Sequence, residues 1–369
     1  MNRFLCNPND VPSNISSAQQ FFRVTSFISI HALPVFALAG NSLILLVILT
    51  NSQLNRSSFS VYVKSMAVSD TLVLVLKLLS YENKTSKLFY WPSLCTGFVF
   101  LTDTSVLLSV WTIVLITIER TLVVVYPLHI KKFVSVCRAR MFILLIATCS
   151  IVLSARVLLL PIDVSPSQKN RCQPEAHWYG YYKVNGTITE FVSCFIPLTI
   201  VITSNCITLY TVKRAIFQRH QILSHQISTQ KRPLDTNENQ LMLMLLVVTL
   251  MFMVYFVPYT ITNVILRWGL PFGLCFTRRA FEVYLYIRTL SELLKDLNFC
   301  TNFIIYCISG RRFRYALFSL IRRQKKTMSS TVRYQESSRQ HADRPLQHST
   351  STRKFNNLTQ KPTYEESQF

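Results

Sequence analysis

Charged side chains occur in this chain inside runs otherwise too apolar to hold them, and chemistry could sit there. Asp70 falls in the run Phe59–Ser80, and Lys77, seven residues on, shares its helix face and points inward. Asp103 flanks Thr102, Arg156 comes late in Ala139–Pro161, and Glu190 opens Ile188–Tyr210. In Phe281–Cys307, Arg288, Glu292 and Asp296 follow at i, i+4 and i+8, with Lys295 beside them. A set this dense in apolar segments reads as a ligand pocket. The alternative stays open that Arg288–Glu292 and Glu292–Lys295 neutralise one another along the helix. No nucleophile with a base and no metal cluster is legible. The seven histidines are scattered and only His31 lies in an apolar run, so the chain is not expected to be an enzyme.

These residues need rods to hold them. Half of the 369 residues are hydrophobic and only 15% are charged, which excludes a disordered chain and a water-soluble repeat protein. Seven runs, Val24–Thr50, Phe59–Ser80, Leu94–Tyr126, Ala139–Pro161, Ile188–Tyr210, Gln240–Leu266 and Phe281–Cys307, can each cross a hydrocarbon core that needs roughly 20 residues. In the third, Cys95, Thr102, Ser109 and Arg120 fall near one line along the helix. Such a face belongs inside a bundle. Past Ser309-Gly310, Phe313, Leu317, Leu320 and Ile321 recur at helical spacing among arginines, as in a helix lying on the inner leaflet. The expected fold class is an all-α membrane protein: a seven-transmembrane helix bundle with a short amphipathic eighth helix. The expected domains are an extracellular tail (1–23), the bundle (24–309), the membrane-surface helix (310–326) and a disordered, Ser/Thr-rich cytoplasmic tail (327–369).

Loop charge sets the orientation. With the C-terminus inside, the inner segments hold 17 Lys/Arg and the outer ones 10, so the positive-inside bias places the N-terminus outside. Met1–Phe22 lacks a hydrophobic signal core, and the first span is expected to act as its own anchor. Asn14, Asn83 and Asn185 head outer-side sequons and are the glycosylation candidates; those at Asn55 and Asn357 fall inside. The net charge of +22 fits basic loops facing anionic lipid better than nucleic acid. Of ten cysteines, Cys6, Cys95, Cys172 and Cys275 fall outside, where disulfides form. Four cysteines allow three connectivities. Cys95–Cys172 is favoured, with Cys6–Cys275 as a second bond and free thiols as the alternative.

Seven spans, an outer N-terminus, a third-span Cys95, a loop Cys172 and the ending Glu119-Arg120-Thr121 resemble the rhodopsin-like (class A) family of G-protein-coupled receptors. Gly40-Asn41, Met66-Ala-Val-Ser-Asp70, Pro127-Leu128, Pro197, Phe252-x-x-x-Phe256-x-Pro258 and Asn302-Phe-Ile-Ile-Tyr306 are similar to that family's marks in six of its spans or their adjoining loop. The stretch Arg120–Lys132 is similar to invertebrate neuropeptide receptors of the FMRFamide type. Departures from the family pattern are Phe303 for proline, Phe256 for tryptophan, Glu119 for the more frequent aspartate, Asn205 for a fifth-span tyrosine, and no tryptophan in the fourth span. A non-proline at Phe303 is expected to remove a helix kink.

The resemblance implies roles. Ser109, Asn298 and Asn302 would surround Asp70 as a sodium site, the one cofactor expected; a protonated Asp70 in a hydrogen-bond network without an ion is the alternative. Glu238 would bridge to Arg120, neighbour of Glu119, in the resting state. Val110, Pro197 and Phe252, with Phe256, Pro258 and Tyr306, would relay helix motion to a heterotrimeric G protein. The ligand residues would be Lys77, Thr102, Asp103, Arg156, Glu190, Arg288, Glu292, Lys295 and Asp296. Amine receptors of the family place aspartate where Thr102 stands, and opsins place lysine where Asp296 stands, so neither ligand is expected. An extracellular neuropeptide leads, a small chemosensory molecule is the alternative, and a transporter is remote because no internal repeat is seen. A plasma-membrane location and a tail open to a kinase and arrestin follow from the same resemblance. Ser367-Gln-Phe369 also fits a PDZ ligand.

Overall fold

The computed structural model describes residues 16–85, 92–127, 134–159, 176–225, 236–268, 277–309 and 313–322. Cys6, Asn14, Cys172, Cys275 and the tail from 323 lie outside them. One compact unit runs to Leu320. Among the described residues there is no strand. α1 comprises Ser16–Phe27, a π turn Ile28–Ala32, and Leu33–Thr50. α2 is Ser58–Thr85, α3 is Pro92–Val125, and α4 is Val136–Ala155 with a 3-10 extension Arg156–Leu159. α5 comprises Tyr179–Glu190, a π turn Phe191–Phe195, and Ile196–His225; α6 is Thr236–Trp268. α7 is split into Arg278–Asn298 and Asn302–Ser309, and α8 covers 313–322.

Local chemistry sets several boundaries. Ser135 caps α4 by accepting from the Arg138 N–H, and Thr277 caps α7 by accepting from that of Ala280. Both π turns precede a proline at the second position of the next segment, Pro34 and Pro197. A proline ring clashes with the carbonyl four residues back, and the helix answers by widening. The Leu33 N–H accordingly bonds the Ile28 carbonyl, and Ile196 bonds Phe191. α1 begins before Val24, and α5 begins nine residues before Ile188. Glu190 therefore stands three turns into its helix, where its first position was expected.

The burial pattern is that of a protein in lipid. Val35, Phe36, Leu144, Leu145 and Val152 are exposed, whereas Asn41, Asp70, Ser109, Thr112 and Asn302 are buried. Among the described residues, five helices are long and apolar enough to cross a membrane, and Leu250–Leu266 gives α6 a shorter apolar stretch. α7 fails that measure because Arg288, Glu292, Lys295 and Asp296 lie within it. α3 is the central rod, touching α2, α4, α5 and α6, while α1 meets both α2 and α7. The α1–α7 approach is close: a Cβ at Gly40 would stand 3.2 Å from that of Phe303. Phe313 and Ala316 of α8 join the same core as Phe299 and Tyr306. An aromatic chain runs along it, with Phe252–Phe256 at 4.7 Å, Phe256–Phe299 at 6.0 Å and Tyr306–Phe313 at 5.9 Å between ring centroids.

The expectation that Phe303 would straighten α7 is corrected by the structure. Phe299–Thr301 forms a turn, closed by the Phe299 N–H on Asp296 and the Cys300 N–H on Leu297, at 3.2 and 3.1 Å. The Phe299 carbonyl, which a continuous helix would give to Phe303, instead accepts from Asn41 Nδ2 at 3.2 Å. Among the described residues no Phe303 N–H bond to this carbonyl is present, and a side chain from α1 fills the place of the missing rung.

Candidate functional site

Polar side chains thread the bundle at three levels. At mid-depth, Asp70 has no exposed surface. One of its oxygens accepts from the Ser109 hydroxyl and the other from Asn302 Nδ2, at 2.6 Å for the latter. Asn302 Nδ2 also lies 3.5 Å from the Asn298 carbonyl, and Asn41 Nδ2 reaches Thr71 Oγ1 at 3.1 Å. The turn at Phe299–Thr301 is what lets Asn302 face α2. These hydrogen bonds offset part of the several kcal/mol that burying an ionised carboxylate costs. The donor chemistry fits a small monovalent cation: the Asp70 and Ser109 oxygens are hard ligands. Asn298 Nδ2, buried without a partner among the described residues, would be satisfied by an ion's water.

Toward the end expected to face outward, the expected residues separate into several clusters and single positions. Lys77 of α2 forms an ion pair with Asp296 of α7, and Ser29 joins both, since Lys77 donates to its Oγ at 2.7 Å and its hydroxyl donates to Asp296. Arg288 and Glu292 pair along α7 at 3.2 Å, both partly exposed. Lys295 lies over the Tyr259 ring of α6 at 3.9 Å, a cation–π contact, with Glu292 and Asp296 near enough to act on its charge. Arg156 turns to α5, donating to Asn185 Oδ1 and, at 2.6 Å, to Thr189 Oγ1, and Asp103 lies close enough to act on its charge. Thr102 bonds its own helix at the Phe98 carbonyl, 2.7 Å away. Glu190 is buried.

At the inner end Glu119 accepts from Ser58 Oγ at 2.7 Å, and the Arg120 guanidinium lies 5.2 Å from the Phe59 ring centre. Thr121 ties α3 to α5 through Ser204 and Thr208, at 3.2 and 3.0 Å. Val110, Pro197, Phe252, Phe256 and Tyr306 are buried, and Pro258 lies within α6. Glu238 falls in the first turn of α6, with its side chain outside the described residues.

Two expected sites need correction. Asn83 and Asn185 are 7% and 6% exposed inside helices. Asn83 Nδ2 meets Cys95 Sγ at 3.5 Å, and Asn185 holds Arg156. A side chain buried and engaged in this way counts against a glycan at either. Cys95 is disulfide-bonded, and its expected partner, Cys172, lies outside the described residues. Ser29, Phe59, Trp111 and Tyr259 were not foreseen as partners. For Ser29 and Trp111 a signal existed, because each proline loosens the helix before it. Ser29 sits in the first π turn, and Trp111 Nε1 donates to the Val192 carbonyl in the second at 3.1 Å. Tyr259 and Phe59 carry no such mark.

Comparison with known proteins agrees with this geometry. Residues 40–306 match the family described as 7 transmembrane receptor (rhodopsin family). The chain is similar to growth hormone secretagogue receptor type 1 of Oryctolagus cuniculus, 23% identical over 309 residues covering 79% of this chain and 78% of that receptor. It is 24% identical to galanin receptor 2b of Danio rerio over 82% of this chain and 76% of that one. It is 23% identical to the RYamide receptor of Drosophila melanogaster over 88% of this chain and 68% of that one.

Proposed function

We propose that this chain, which belongs to the rhodopsin family of seven-transmembrane receptors, takes a peptide at its outer half and passes the signal through the Asp70 joint to Arg120. The receptor is a multi-pass membrane protein that signals through G proteins. One observation supports a peptide most: charges of both signs line the outer half on separate helices, and the Arg288–Glu292 pair is still open to solvent. A peptide brings charged groups for such a set and apolar side chains for the walls between. Receptors named for galanin and RYamide among its relatives point the same way.

In this reading the N-terminus is outside the plasma membrane. Glu238 restrains Arg120 at rest, and its release lets α6 move from α3 to admit the G protein. Asp70 and Ser109, with Asn298 and Asn302, would hold a sodium ion, whose charge would offset the buried carboxylate. The tail would take phosphates and then arrestin.

The test is a nucleotide-exchange screen in cells expressing wild type or Arg120→Ala, challenged with short peptides and with small metabolites. A peptide response absent from Arg120→Ala at equal surface expression supports the proposal. A response to a metabolite alone would move the ligand to the chemosensory class. Glu238→Ala should raise basal exchange, and unchanged exchange at normal surface level would remove the restraint from the account.

A further inference from the structure

Above the Asp70 joint, α2 and α7 meet a second time. The Lys77 ammonium pairs with Asp296 Oδ2, and Ser29 binds both. Asp296 is 1% exposed and Lys77 32%. The other oxygen of Asp296, Oδ1, is buried without a partner among the described residues. Asp296 also supplies the carbonyl that closes the Phe299–Thr301 turn. On the far side of that turn, Asn302 binds Asp70. α2 thus grips α7 once above the break in its backbone and once below it.

We propose that the Lys77–Asp296 pair is a clamp that fixes the α7 break in the resting receptor, released when an oxygen acceptor of the ligand, a carboxylate or carbonyl, engages Lys77. The proposal rests on reading the outer half as the ligand pocket. Exposure sets the direction: a molecule entering from outside reaches Lys77 before it reaches Asp296. Once Lys77 turns away, Asp296 keeps the Ser29 hydroxyl as its hydrogen-bond partner among the described residues and the Lys295 charge beside it, too little for a buried carboxylate that already has one oxygen unpaired. The segment Arg278–Asn298 then gains by rotating about Phe299–Thr301 until Asp296 meets water. Because Asn302 follows the break directly, that rotation bears on its bond to Asp70. A pair that only holds the helices together would give no such coupling.

Cys300 reports the break directly. It is a free, buried thiol within the turn, and its Sγ faces the Leu297 carbonyl at 3.4 Å. Its labelling by a small maleimide, read by peptide mass spectrometry on receptor in membranes, measures opening with no ligand or G protein present. Lys77→Met alone strands a buried charge and risks misfolding, so the main variant is the neutral double, Lys77→Met with Asp296→Asn. That variant should label Cys300 several-fold faster than wild type and raise basal nucleotide exchange. The swap Lys77→Asp with Asp296→Lys should return both toward wild type. Wild-type labelling and exchange in the neutral double would overturn the clamp. Isotonic sodium acetate should speed Cys300 labelling over sodium chloride in wild type and leave the neutral double unchanged; equal rates in wild type would overturn release by an acceptor. Faster labelling with basal exchange unchanged on every G protein tried would keep the clamp and count against the coupling reading above.

Discussion

Phe303→Pro restores a proline to α7 and separates two accounts of the break. In a continuous helix, an internal proline costs about 3 kcal/mol or more, through the lost hydrogen bond and the ring's clash with the carbonyl four residues back. Here the rung is already absent, and the Phe299 carbonyl takes Asn41 Nδ2. Phe303 is the second residue of Asn302–Ser309, as Pro34 is of Leu33–Thr50, a position where proline is tolerated. The backbone cost should therefore fall below about 1 kcal/mol, far short of the helix-interior value. What remains is the lost ring, half-buried against Gly40 and 6.1 Å from Phe313 between centroids, and that loss is shared by Phe303→Ala. Truncating a fully buried phenylalanine costs about 3–5 kcal/mol, and partial exposure lowers this toward about 2. Thermal unfolding of the purified variants in detergent is the assay. The proline and alanine variants should melt within about 1–2 °C of each other, both below wild type. A proline variant melting lower than the alanine variant by about 4 °C or more, the shift expected from about 3 kcal/mol in a chain of 369 residues, would refute the argument.

Gly40→Leu should lower surface expression and melting temperature by crowding Phe303, a cost of roughly 1–3 kcal/mol; Phe303→Ala should recover part of it, and no recovery would place the strain elsewhere. If Asn83 and Asn185 carry no glycan, Asn83→Gln and Asn185→Gln should leave the glycosidase-sensitive gel shift intact, with Asn14→Gln as the comparison. Asp70→Asn should abolish any difference in basal exchange between sodium and choline buffers; a difference that survives would put the ion elsewhere. Trp111→Phe leaves the Val192 carbonyl unpaired and should destabilise by about 1–3 kcal/mol, seen as a lower melting temperature at normal ligand response.

Residue type and spacing were enough for much of this protein. Seven apolar runs and the inward faces of α2 and α3 could be read along the chain, because a polar group that lipid will not accept must turn inward; that Ser109 and Asn302 gather at Asp70 was implied only by the family resemblance. Helical period then says which side of a rod such a group occupies. The same reasoning placed Lys77 and Asp296 inside the bundle without saying that they meet. Pairing depends on how far each rod is turned and slid against its neighbour, and those offsets come from contacts such as Gly40 against Phe303 and from the extra residue in each π turn. Hence Lys295 finds Tyr259 on the neighbouring helix, Arg156 finds Asn185 in a segment expected to be loop, and the side chains of two sequon asparagines are buried. The break in α7 is the sharpest case. The Phe299 carbonyl at the break is taken by Asn41, 258 residues away along the chain, and only tertiary packing brings that amide to the carbonyl.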